Sequence, residues 1–154
     1  MEKYKVIFIG DGAIGKTSLL LTYDLKYLPE EYIPTIYDNF SKNFKIEENK
    51  EIEIVFWDTE RRDYDDRLFP LYYPETDLIV ICFAIDDYYS FENIENFWIL
   101  EIGKYIPKYS KRILVGTKMD LRNNEERINE LKEKNQKLIT KEEGIEFSKE
   151  NKSN

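Results

Sequence analysis

The sequence contains a single cysteine, Cys82, so no disulfide can close within the chain. That usage suits a reducing compartment. Cys82 sits inside the apolar run 78–85, where a buried strand thiol is expected rather than a reactive one. Long hydrophobic runs are also missing; a membrane-spanning helix needs about 20 apolar residues. The opening stretch MEKYKVIFIG is too short and too charged for a signal peptide or a membrane span. No glycine follows Met1 and the final ENKSN holds no cysteine, so neither myristoylation nor prenylation of this chain is expected. Nor is there an excess of positive charge. The net charge of -8 argues against generic binding to nucleic acid or anionic lipid, both of which need a basic surface. Linkers, internal repeats and low-complexity tracts are absent. Asn39-Phe40-Ser41 matches a glycosylation triplet, but nothing else suggests secretion and the match is read as chance. The expected setting is cytoplasmic.

What remains is a chain of 154 residues, 42% of them hydrophobic, which the length prior reads as one domain, residues 1–154, with a real core. Val6–Ile9 is a short apolar run that ends at Gly10, as a buried strand does. A helix is expected from Gly15 to about Leu25, with Leu19, Leu20 and Tyr23 on its apolar side. Phe40–Ile46 and Glu51–Trp57 alternate apolar with polar around a turn at EENK, a hairpin pattern. Leu78–Ile85 and Ile113–Val115 read as further buried strands. Between them Phe91, Ile94, Trp98 and Ile102 recur at helical spacing. The segment 122–137 is very polar, with Ile128 and Leu131 as apolar contacts and Glu130 spaced to pair with Lys134. Thr140 and Glu143 form the pattern of a capping box that opens a last helix. Strands alternating with helices imply an α/β fold, a mostly parallel twisted sheet with helices on both faces.

The strongest motif is GDGAIGKT, Gly10–Thr17, between a strand and a helix. It fits the phosphate-loop pattern, in which backbone amides and a helix N-terminus surround a polyphosphate. Lys16 can bridge the outer phosphates and the Thr17 hydroxyl can hold Mg²⁺. Gly12 and Gly15 allow close approach of the backbone. The alternative, a structural glycine turn, fits the eight-residue match poorly. Asp58 ends an apolar strand and suits a carboxylate that holds a metal-bound water; a helix-capping aspartate is the bland alternative. GTKMD, Gly116–Asp120, follows a later strand, at the sheet edge where a base-reading loop belongs. Asp120 can accept two hydrogen bonds from the N1–H and exocyclic amine of guanine, a donor pair that adenine lacks. The stem of Lys118 can lie over the base.

With these residues in place the chain resembles a small GTPase of the Ras superfamily, and specifically of the Rho family, over residues 3 to about 150. YIPTIYDNF (32–40) resembles switch I, WDT opens switch II, and SFENI with FWILEI resembles the third helix. TKMDLRNNEERINELKEKNQKLITKEEG resembles the base loop and the insert helix of Rho proteins, at about 123–135. The resemblance implies a P-loop NTPase fold and nucleotide contacts from Gly10, Asp11, Gly12, Ala13, Ile14, Gly15, Lys16, Thr17, Ser18, Leu28, Tyr32, Thr35, Lys118 and Asp120. It implies metal contacts from Thr17, Thr35 and, through water, Asp58. Lys16 and Thr35 stand at the catalytic positions, with Arg62 in place of the family glutamine. It further implies effectors docking on Tyr32–Phe40 and switch II, exchange factors, GTPase-activating proteins, and signalling to actin and membrane shape.

Three departures from the family pattern stand out. The family reads D-T-A-G-Q after the tryptophan, whereas Glu60, Arg61 and Arg62 fill the last three places here. Arg61 keeps an amide but adds bulk where glycine lets the loop approach the γ-phosphate. Arg62 only donates hydrogen bonds, while the attacking water also needs an acceptor. Losing one such contact costs about 3–4 kcal/mol, or roughly 10²–10³ in rate. Glu60 adds a negative charge that either disfavours GTP or points outward. Leu28 stands where a phenylalanine covers the guanine edge, which forfeits an aromatic contact of about 0.5–1.5 kcal/mol and predicts faster nucleotide release. The family also continues with a strand, a guanine-touching loop, a last helix and a prenylated cysteine, so exposed apolar surface is expected where these would pack.

Three readings follow. One is a Rho-like switch that binds GTP and GDP with Mg²⁺ and hydrolyses GTP weakly. Another is a nucleotide-locked pseudo-GTPase acting as a binding module. The third is a nucleotide-free scaffold. A P-loop kinase is disfavoured, because Lys118 and Asp120 read guanine.

Overall fold

The computed structural model describes residues 1–28, 39–59 and 69–151. Five strands form one sheet in the order β2-β3-β1-β4-β5. They are β1 (Glu2–Ile9), β2 (Asn39–Glu47), β3 (Lys50–Asp58), β4 (Leu78–Ala84) and β5 (Lys111–Thr117). β1 pairs in parallel with β3 and β4, and β4 with β5. Only β2 and β3 run antiparallel, as the hairpin pattern predicts. This is the small G-protein P-loop NTPase fold expected from the sequence.

The strand period of two divides the core. Ile7, Ile9, Ile79, Ile81 and Phe83 face one side and pack against Ile94, Trp98, Ile102 and Ile139. Val6, Phe8, Val80, Cys82 and Ala84 face the other and meet Ile14 and Leu20. Both faces of the central strands are therefore covered, which is why β4 reads as an unbroken apolar run.

The first helix, α1 (Lys16–Leu25), buries Lys16, Leu20 and Leu21. The expected apolar side needs correction: Leu19 and Tyr23 are 41% and 39% exposed. Leu20 packs on the face carrying Val80 and Cys82, Leu21 is buried where Leu19 is not, and Tyr23 flanks Phe56, with ring centroids 5.7 Å apart. The four-residue α2 (Phe69–Tyr72) precedes β4. After β4 a continuous helical run comprises α3 (Tyr88–Asn93), a wider π turn (Ile94–Trp98) and α4 (Ile99–Tyr105). Ile94, Trp98 and Ile102 are fully buried, as their spacing predicts.

A 3₁₀ turn (Met119–Asn123) leads into α5 (Glu125–Glu133), which Asn124 caps by accepting from Arg127 N. Leu131 is its one buried residue. Its ion pair differs from expectation. Glu130 meets Arg127 at 2.8 Å, three residues before it, and Lys134 stands at the helix end as its C-cap. The last helix, α6 (Lys141–Glu150), opens with the predicted capping box of Thr140 and Glu143. β5 is the sheet edge, and Ile113, Met119 and Ile145 beside it are 45%, 55% and 44% exposed. Among the described residues no helix is long and apolar enough to cross a membrane.

Candidate functional site

β1 ends at Ile9, and the chain then turns through Gly10 at φ 141°. A Cβ on Gly10 would lie 2.3 Å from the Cys82 carbonyl oxygen and 2.7 Å from Ile14 Cδ1, so this position accepts only glycine. Gly15, at φ 97°, starts α1 from the left-handed region. Gly12 differs, since a Cβ there would meet nothing within 4 Å. The protein's own packing does not require glycine at Gly12, which is exposed with open space beside it.

The N-terminus of α1 has no side-chain cap and no acidic residue in its first turn. Backbone N–H groups at a helix start lack intrahelical partners and carry the positive end of the helix dipole. Lys16 adds a nearly buried ammonium, 6% exposed, which donates to the carbonyls of Gly10 at 2.8 Å and Asp11 at 2.6 Å. The loop therefore concentrates donors and positive charge at the start of α1, an arrangement suited to a polyphosphate. Ile14 buries its side chain in the core, which leaves its backbone to the loop, and Ser18 is exposed.

Thr17 and Asp58 meet across the α1–β3 boundary. Thr17 Oγ1 donates to Asp58 Oδ2 at 2.5 Å, and Asp58 is 5% exposed. A hydroxyl and a carboxylate converging beside a phosphate loop form an all-oxygen donor set that fits a hard divalent cation such as Mg²⁺, whose other ligands are phosphate and water. Thr59 anchors this corner by donating from its hydroxyl to the Phe8 carbonyl.

Lys118 and Asp120, expected from the sequence to read the base, stand just after β5. Lys118 adopts φ 60°, ψ 38° and opens the 3₁₀ turn that carries Asp120, which is exposed. Thr117 joins this loop to the phosphate loop: its hydroxyl is hydrogen-bonded to the Ile14 carbonyl and, at 3.0 Å, to that of Phe83. Leu28 is 60% exposed. Tyr32, Thr35, Glu60, Arg61 and Arg62 lie outside the described residues.

Two sets of contacts around the site escaped the sequence reading. Asp11 accepts from Asn93 Nδ2 at 2.6 Å and from Trp98 Nε1 at 2.8 Å. The π turn explains the pairing, because residues five apart sit one above the other when the helix widens to i→i+5 bonding. The Ile99 N–H to Ile94 carbonyl bond is of that type. Asp86, 6% exposed, lies between Lys118 and Arg127 of α5. Polar residues at the ends of β4 and within an apolar helix pattern were the available signals, but neither specifies a partner.

The sequence matches the family model described as Ras family over residues 5–154.

Proposed function

The chain belongs to the Ras family of small GTPases, and on that premise we propose that it is a Rho-type guanine-nucleotide switch that holds GTP or GDP with Mg²⁺ and hydrolyses GTP slowly. The observation that carries this reading is the start of α1, which has no side-chain cap and no acid in its first turn, beside the nearly buried Lys16. That combination stabilises phosphate. The loop amides and Lys16 grip the β- and γ-phosphates, and the space beside Gly12 accommodates them. Thr17 and Asp58 would hold Mg²⁺, the latter through water, and the ion when bound neutralises charge on the phosphate oxygens. Asp120 selects guanine by accepting from its N1–H and amine, while Lys118 lies along the base.

The Rho assignment rests on α5, which lies between β5 and α6, where the sequence resemblance sets the insert helix. Effectors and regulators engage residues 32–40 and the segment after Asp58. Slow hydrolysis follows from side-chain chemistry: Arg62 offers the attacking water no acceptor, and Arg61 carries a long side chain where the family has glycine. The exposed Leu28 covers the base edge incompletely and favours fast release.

The test is nucleotide content by HPLC on the purified protein, followed by single-turnover GTP hydrolysis. Bound guanine nucleotide with hydrolysis roughly 10²-fold slower than the Arg61→Gly/Arg62→Gln variant supports the proposal. Hydrolysis unchanged by that double substitution refutes the slow-hydrolysis part. Absence of any bound or bindable nucleotide refutes the switch and leaves a scaffold.

A further inference from the structure

We propose that Arg127 of α5 and Asp86 at the end of β4 are positioning residues for the guanine base, acting through Lys118, so that the insert helix sets how long the nucleotide stays bound. This rests on the reading of Lys118 as a base-contacting residue.

Asp86 is 6% exposed, and its two carboxylate oxygens serve two different loops. Oδ2 accepts from Arg127 Nε at 2.9 Å and lies 2.9 Å from a second nitrogen of the same guanidinium. Oδ1 lies 3.5 Å from Lys118 Nζ. Both guanidinium nitrogens converge on the same oxygen, which pins Oδ2 and leaves Oδ1 for Lys118. With Oδ2 occupied by Arg127, Oδ1 is the oxygen left to face Lys118; it is buried without a hydrogen-bond partner among the described residues, so the ion pair at 3.5 Å is its one charged contact with that side chain. That contact biases where the ammonium sits at the end of β5.

The backbone reinforces the same junction. Ile85 N–H donates to the Thr117 carbonyl at 3.2 Å, and Ile139 N–H donates to the Ile85 carbonyl at 2.7 Å. Ile85, the residue just before Asp86, is therefore held both to the loop after β5 and to the chain following α5. Arg127 also meets Glu130 at 2.8 Å, and Glu130 is about half exposed, so the relay runs from a nearly buried carboxylate to the protein surface. α5 has one buried apolar residue, Leu131. The ion pair therefore also helps anchor α5, a contribution that the double-mutant cycle separates from base positioning. Removing Arg127 leaves that carboxylate with Lys118 as its remaining cation of the two, incompletely compensated. It then reorients and draws the lysine with it.

The experiment is a double-mutant cycle on the release rate of a fluorescent GDP, read by stopped flow in Mg²⁺ buffer. It uses the full chain, Arg127→Met, Lys118→Met and the double variant, with Asp86→Asn and Arg127→Lys as companions. Arg127→Met is expected to speed release about fivefold in the parent chain and by less than about twofold when Lys118 is already Met. Asp86→Asn repeats that pattern, and Arg127→Lys recovers part of the loss. Thermal unfolding of each protein reads folding separately, and a merely structural role would multiply release equally in both backgrounds. Equal multiplication, or no effect of Arg127→Met, overturns the proposal while leaving nucleotide binding intact. A parent chain that binds no guanine nucleotide overturns the base-contact reading itself and this proposal with it.

Discussion

Trp98 Nε1 donates to Asp11 Oδ1 at 2.8 Å, which joins the fully buried indole of the helical run after β4 to the phosphate loop. Asn93 completes the bridge at 2.6 Å. The loop's shape is thus set partly by a helix that is far from it in sequence, and the π turn at Ile94–Trp98 aligns both donors.

Replacing Trp98 with Phe keeps much of the ring's packing but removes its N–H. Hydrogen bonds to charged groups contribute about 1.5–3 kcal/mol, so Trp98→Phe should lower stability by about that amount in urea unfolding. It should also speed nucleotide release. An unchanged unfolding midpoint would show that the Asp11 contact contributes nothing.

The two loop glycines should behave oppositely. Gly10→Ala forces a Cβ to within 2.3 Å of a backbone oxygen at φ 141°, and strain plus overpacking should cost about 2–4 kcal/mol. Gly12→Ala meets nothing within 4 Å and should leave the ligand-free protein within about 0.5 kcal/mol of the parent chain. Calorimetric melting of the two variants checks the contrast, and equal losses would contradict it.

Cys82 is fully buried, and burial pushes its thiol up to about 12. The reactive thiolate is therefore scarce at neutral pH. Ellman's reagent at pH 8 should label Cys82 only after denaturant is added. Rapid labelling of the folded chain would mean that β4 opens locally.

The Thr140 backbone N–H, followed by Lys137 and the Thr140 side chain, holds the Glu143 carboxyl below its ordinary value of 4.5. Its folded value is thus lower than its unfolded one. The stabilisation is present above about pH 4.5 and is lost as pH falls through the folded value. Glu143→Gln should lower stability at pH 7 and flatten the acid side of the stability profile. Urea midpoints at pH 7 and pH 3.5 test this, and parallel profiles for variant and parent would contradict it.

Much of the fold was legible because strand and helix periods differ. Ile94, Trp98 and Ile102 were placed correctly by helical spacing, and the Thr140–Glu143 cap by its local chemistry. Leu19 and Tyr23 were misassigned because periodicity does not say which edge of a broad apolar stripe meets the sheet. Four-residue spacing points Glu130 toward Lys134, whereas Arg127, one turn earlier, lies between Asp86 and Glu130. The phosphate-loop residues were legible from one contiguous motif. The Asp11–Trp98 and Asp86–Lys118–Arg127 contacts were not, since each joins elements far apart in sequence and no local pattern encodes such a pair.

The central claim is that the loop before α1 and the loop after β5 together bind a guanine nucleotide with Mg²⁺. Fluorescence titration with labelled GDP and labelled ADP, each with Mg²⁺ and with EDTA, tests it most directly. The account predicts saturable GDP binding that weakens by at least about tenfold in EDTA, with ADP far weaker. Equal binding of both nucleotides, or no binding of GDP in Mg²⁺, would contradict it.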